Sequence, residues 1–250
     1  MLVIKGKHNN AVIYTCNVEP SAVSQIQTLC DQEFAKGSRI RIMPDVHTGV
    51  GCTIGTTMTI KDKVVPNLVG VDIGCGMEVI KLENKQINLE KLDNLIYEKI
   101  PSGFNIRNKE HEFIDEIDLN QLKCKSSVNL KRARLSIGTL GGGNHFIEVD
   151  KDSEGGLYLV IHSGSRHLGH EVASLYQREA YKALGKDADI PKSLAYVSGK
   201  LFEDYIHDMK IIQRFADLNR KAMAHEIINN MKLQVVSRFT TIHNYIDTQH

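Results

Sequence analysis

Four times between Met43 and His170 this sequence sets glycines directly beside side chains that bind metals or phosphates. The stretches are MPDVHTG (residues 43–49), VDIGCG (71–76), GTLGGGNHF (138–146) and HSGSRHLG (162–169), and a His243-Asn244 pair follows them. Glycine costs backbone entropy, so glycine beside polar side chains marks forced turns or close approach to a ligand. A chain built this way needs short ordered elements that present several tight turns to one place.

The segments between these turns predict those elements. Leu2–Thr15 reads as a hairpin around Asn9-Asn10. From Ser21 to Ala35 the apolar residues recur at helical spacing, with Gly37 placed as a C-cap. Strands are expected at Ile40–Met43, Val64–Val65 and Met77–Leu82, with a β-like run at Val69–Val71 before Asp72. Asn88 can cap a helix through Leu89, Leu92, Leu95 and Ile96 that Pro101 stops. Further strands are expected at Phe146–Val149 and Leu157–Ile161. Helices follow at about 168–184, closed by Gly185, and at about 200–230. Strands crowd the middle and helices the C-terminal half without regular βαβ alternation. This predicts a single mixed α+β domain over residues 1–250, with mixed or antiparallel sheets flanked by helices.

Composition excludes several function classes. With 42% hydrophobic and 24% charged residues the chain is an ordinary globular one. Its formal net charge of +1 gives no global pull toward polyanions, so any such partner must be met by local patches. The basic run Lys123–Arg134, after the acidic run Glu110–Asp118, is one such patch or else a solvated face. No apolar stretch is long enough to cross a bilayer, so no membrane partner is expected. Only three apolar residues precede the first charge after Met1, too few for a signal peptide. The five cysteines include no CxxC pair, which argues against a disulfide framework and for the reducing cytoplasm.

Asp72 and Cys75 stand in one glycine turn, where a carboxylate and a thiolate would repel unless a cation lies between them. His145, His162 and His243 supply further ligands. The set exceeds four donors, so two ions sharing the thiolate are expected, and Zn²⁺, Mn²⁺, Co²⁺ or Fe²⁺ would suit it. Gly141–Gly143 can cradle a phosphate, and with Asn144 and Glu148 they favour a nucleotide site, although neither a P-loop nor a Rossmann pattern is present. Ser163, Ser165 and Arg166 at a helix start make a second phosphate site. His167 and His170 read as residues of that helix start, and His8, His111, His207 and His225 as ordinary histidines.

In this order, MPDVHTGVG (43–51), GVDIGCGM (70–77), GTLGGGNHFIEV (138–149), HSGSRHLGH (162–170) and His243-Asn244 resemble the RtcB family of RNA ligases over nearly the whole chain. The resemblance implies joining of an RNA 3′-phosphate or 2′,3′-cyclic phosphate to a 5′-hydroxyl, with GTP and two Mn²⁺, in tRNA splicing or RNA repair. It implies Cys75 as a thiolate bridging both ions, Asp72 and His145 on one ion, and His162 and His243 on the other. Asn144, His145, Phe146, Ile147, Glu148, His243 and Asn244 correspond to the guanylate-binding positions, and Asp45, Asn144 and Arg166 to catalytic ones. RNA, GTP and an activating protein are the implied partners. Two departures stand out. His167 replaces a glycine common in the family. The family's guanylate-accepting histidine lies in a His-Gly-Ala-Gly-Arg-like string that this sequence does not contain, and His250 lacks that context. His47 is then the one remaining in-motif histidine, so the chain is expected to hold metal without guanylylating itself. A dinuclear phosphoesterase and a non-catalytic RNA- or nucleotide-binding fragment are the alternatives.

Overall fold

At Asn9-Asn10 the chain reverses as expected. Strands β1 (Leu2–Lys5) and β2 (Asn10–Ile13) pair antiparallel with Lys5 opposite Asn10. The computed structural model describes residues 1–185 and 188–248, so His250 lies outside the described residues. These fall into two compact units, Met1–Val71 with Ala173–Tyr205, and Asp72–Val172 with Ile206–His250.

In the first unit, helix α1 (Pro20–Cys30) ends earlier than its apolar spacing predicts. The Cys30 carbonyl accepts from the His8 and Asn9 amides of the hairpin turn, and Asp31 accepts from Lys7 N at 2.7 Å. The hairpin thus takes over the helix C-terminus. Gly37 follows a separate 3₁₀ turn at Glu33–Ala35. Strands β3 (Ile40–His47) and β4 (Ile54–Met58) complete a sheet ordered β1-β2-β3-β4, in which β2 and β3 run parallel. β4 has no alternating pattern and was not legible. After β5 (Lys63–Val64), residues Pro66–Val69 form a short helix, α2, and the β-like run expected at Val69–Val71 is instead the end of that helix and a bend. Pro66 at its first turn suits a helix start. The core packs Ile13, Ile26, Leu29, Ile40 and Ile42.

The second unit carries β6 (Gly76–Leu82), α3 (Leu89–Lys99), α4 (Leu130–Arg134), β7 (Phe146–Lys151) and β8 (Leu157–Ser163). Asn88 caps α3 by accepting from Lys91 N at 2.9 Å. Helix α5 (Arg166–Leu184) starts in this unit, and Gly185 follows it at φ 82°. After β9 (Val197–Ser198), which pairs with β5, come α6 (Gly199–Met231) and β10 (Val235–Ile242). The sheet order is β10-β6-β8-β7, antiparallel throughout. Ile80, Leu159, Ile161, Met223 and Ile227 fill the core between this sheet and α6. The fold is mixed α+β, with helices flanking several sheets. Among the described residues no helix is long and apolar enough to cross a membrane.

Candidate metal centre

Register in the second sheet brings the ligand-type residues together. Gly76 pairs with Ser163 and with Ile242, and Phe146 pairs with His162. Cys75 just before β6, His145 just before β7, His162 near the end of β8 and His243 just after β10 therefore share one end of the sheet. Asp72 joins them through the turn at 72–75, where Cys75 N donates to Asp72 O at 3.0 Å. The His243-Asn244 pair is fastened to that turn. His243 N donates to Cys75 O, Gly74 N to Asn244 O, and the Asn244 side chain to Asp72 O, each at 3.0 Å.

The imidazoles are held in one tautomer. A carbonyl can only accept, so His145 Nδ1 donates to Leu140 O and His162 Nδ1 to Asn144 O, both at 3.0 Å. Their Nε2 lone pairs then point at Cys75 Sγ, from 3.6 and 3.4 Å. Backbone-anchored Nδ1 atoms are the usual support of metal-binding histidines. His145 Nε2 also lies 3.0 Å from Asp72 Oδ2, a lone pair facing a carboxylate. Two three-residue groups result, Asp72–Cys75–His145 and Cys75–His162–His243, each with ligand atoms within 4.8 Å of one another. Cys75 belongs to both.

Charge fits the same reading. Burial and the neighbouring Asp72 push the Cys75 thiol far above its usual range, so the thiolate needs a cation to form. Burial would raise the Asp72 carboxyl, but the polar groups around it, the Cys75 thiol and the Ser165 amide among them, outweigh that and hold the group low. Burial keeps His162 below the ordinary histidine range, and partial desolvation with the neighbouring His162 does the same for the more exposed His243, so both are neutral, as ligands must be. Gly164 is obligatory here, because a Cβ would strike the Asp72 carboxylate. The donor set of thiolate, carboxylate and imidazoles fits two divalent ions.

The phosphate-type residues are arranged differently from expectation. Ser163 and Ser165 are fully buried and turn their hydroxyls inward, to Leu140 O and to Asp72 Oδ1, so they build the framework and do not line a phosphate cradle. Arg166 adopts a left-handed φ of 58°, which costs a non-glycine residue about 1 kcal/mol or more. Its guanidinium is held by Thr139 Oγ1 at 2.9 Å and Gly103 O at 2.8 Å. Gly141 makes room for it, since a Cβ there would collide with Arg166 and lie 2.8 Å from His145 Nδ1.

A family described as tRNA-splicing ligase RtcB matches residues 25–127 and 109–250. The chain belongs to the RtcB family. It is 31% identical over 240 residues to the RNA-splicing ligase RtcB of Escherichia coli K12, covering 86% of this chain and 58% of that protein. The tRNA-splicing ligase RtcB of Aeropyrum pernix is 28% identical over 283 residues, covering 90% of this chain and 56% of its own. For that of Archaeoglobus fulgidus the figures are 29% over 241 residues, 74% and 50%. The chain spans about half the length of these curated relatives.

Among the remaining RtcB-type positions, Asn144 and Glu148 are exposed. The Phe146 ring lies edge-on to His162 at 5.2 Å, while Ile147 packs into the core. Asp45 and His47 are exposed on β3 in the first unit, and His47 Nδ1 bonds Asp45 O at 2.8 Å. His167 and His170 stack on the first turns of α5, as read from the sequence.

Sequence reasoning missed Asn219 and Arg220, both fully buried on α6. Asn219 accepts from Gly138 N and Thr139 N at 2.9 and 3.1 Å and donates to Ser163 Oγ and Gly164 O, both at 3.1 Å. Arg220 donates to Gly74 O at 2.8 Å, Ser163 O at 3.0 Å and Thr240 Oγ1 at 3.2 Å. Together they tie the three ligand-bearing turns to α6. The one available signal was an Asn-Arg pair between apolar residues at helical spacing, Phe215, Leu218, Ala222 and Met223, that the helix buries.

Proposed function

We propose that this chain carries the metal and nucleotide site of a cytoplasmic ligase that joins an RNA 3′-phosphate or 2′,3′-cyclic phosphate to a 5′-hydroxyl, using GTP, in tRNA splicing or RNA repair. The observation that carries the reading is the Cys75 sulfur, shared by two ligand groups, with the His145 and His162 lone pairs already aimed at it. Asp72 and His145 would hold one Mn²⁺, His162 and His243 the other, and Cys75 both. Bound there, the ions would supply Lewis-acid charge to phosphate oxygens.

The chain's own residues then bind and orient. Asn144, exposed beside the anchored His145 and His162, offers an amide that both donates and accepts to a guanylate. The segment His145–Glu148, with His243 and Asn244, forms the rest of that nucleotide site. Arg166, pinned at Thr139 and Gly103, presents fixed positive charge to a phosphate, and Asp45 is the further RtcB-type catalytic position.

The test combines the protein with Mn²⁺, GTP and RNAs bearing 3′-phosphate and 5′-hydroxyl ends. Two bound Mn²⁺ per chain and retention of GTP and of the 3′-phosphate RNA are the expected results, and a lengthened strand is expected only when a segment carrying the family's guanylate-accepting histidine is also supplied. Loss of the 3′-phosphate without joining would replace the ligase with a phosphoesterase, and absence of bound metal would end the reading altogether.

A further inference from the structure

Phe104 is 94% exposed, yet it does not sit on a loose loop. A single exposed apolar side chain needs no explanation by itself. What sets Phe104 apart is how firmly its backbone is held. Gly103 N donates to Gly141 O at 2.7 Å, Leu140 N to Pro101 O at 2.9 Å, and Ser102 bridges to Gly141. Arg166 donates to Gly103 O at 2.8 Å and Arg132 to Phe104 O at 2.9 Å. Two guanidiniums and the glycine loop clamp a residue whose ring touches almost nothing.

The surroundings select what can cover that ring. Beside it the backbone is bare. Cβ positions at Gly103 and Gly143 open into empty space, and one at Gly142 would meet only Gly103 Cα at 3.7 Å. This glycine floor leads to Gly141, which lies against His145 and Arg166. An apolar protein segment would want apolar neighbours around the aromatic. Phe104 instead has Gly103, Asn105 and Arg132, which suit a flat π-face attached to a phosphate chain.

We propose that Phe104 is a stacking platform for a nucleobase near the end of an RNA strand whose terminal phosphate lies at the metal centre. The inference rests on the RNA reading above. The strand's backbone runs over Gly103 and Gly142–Gly143, and Arg132 and Arg166 carry the positive charge beside it. Stacking accepts any base, so Phe104 contributes affinity and placement without sequence preference.

The experiment measures binding of a single-stranded RNA ending in 3′-phosphate, with Mn²⁺ present, to the parent, Phe104→Ala and Phe104→Trp. The same RNA is also tested with an abasic sugar at the last or the penultimate position. Phe104→Ala should bind about 10-fold more weakly, with its melting temperature unchanged and the salt dependence of binding preserved, and Phe104→Trp should restore affinity. One of the abasic RNAs should lose as much with the parent and lose little further with Phe104→Ala. Equal binding by parent and Phe104→Ala, or an equal loss for base-bearing and abasic RNAs, would overturn the platform while leaving the RNA reading in place. A parent that binds neither RNA would overturn both.

Discussion

Cys75 faces two imidazole lone pairs and a nearby carboxylate, an arrangement in which its single thiol proton can satisfy only one neighbour. If the sulfur bridges, Cys75→Ala should lose both ions, whereas His243→Ala should lose one. Metal analysis of the dialysed variants checks this, and two ions retained in Cys75→Ala would exclude bridging. His111 poses a different residue-scale question. It is buried beside Arg107, both of which depress its pKa, and its Nδ1 accepts from Phe113 N at 3.2 Å. The fold therefore favours neutral His111. Its contribution is fully present above the unfolded pKa of about 6.5 and fades as pH falls through that value toward the lower folded one. Denaturation midpoints measured from pH 7 to 5 should fall less steeply in His111→Asn than in the parent. Identical slopes would mean that His111 is not the group responsible. The remaining slope belongs to other depressed histidines, among them His162 and His243.

Helix α6 does more than cover the sheet. Its Met223 and Ile227 fill the core, and one turn away Asn219 and Arg220 reach the turns that carry the ligands. Arg220→Met would leave the carbonyls of Gly74 and Ser163 buried without their donor. A loss of about 3 kcal/mol in unfolding free energy is expected, on the scale of two or three buried hydrogen bonds. Because those carbonyls adjoin Cys75 and His162, metal affinity should fall further than in a variant equally destabilised elsewhere. Asp208→Asn is a suitable control, since Asp208 caps the amides of Lys123 and Cys124, away from the ligand turns. Equal metal affinity in Arg220→Met and the control would reduce Arg220 to a core residue. The elements themselves were unequally legible. α3, with its Asn88 cap and clear apolar spacing, matches its reading, whereas β4 and β10 went unread. β10 is an edge strand whose side chains are mostly exposed, so no hydrophobic alternation marks it.

Across the whole chain, all five metal-type residues belong to the second unit, and the first unit has its own core. Metal at about 100 times its dissociation constant should add about 2.7 kcal/mol of stability. Hydrogen exchange should record the gain at residues 72–77, 144–146, 162–165 and 241–244. Protection appearing only in the first unit would contradict the assignment. The sequence by itself determined the chemistry on offer: Asp72, Cys75, His145, His162 and His243 are legible because glycine turns around polar residues leave a local signature. It also determined α3, α5 and α6, whose spacing and caps are local. Tertiary structure alone decided that these turns meet, because antiparallel register among β10, β6, β8 and β7 sets which strand ends coincide. It decided as well that Ser163 and Ser165 turn inward, that α1 stops at Cys30, and that Asn219 and Arg220 serve the site. Each of these depends on hydrogen-bond partners dozens of residues away, and no local pattern of side chains encodes such a partner.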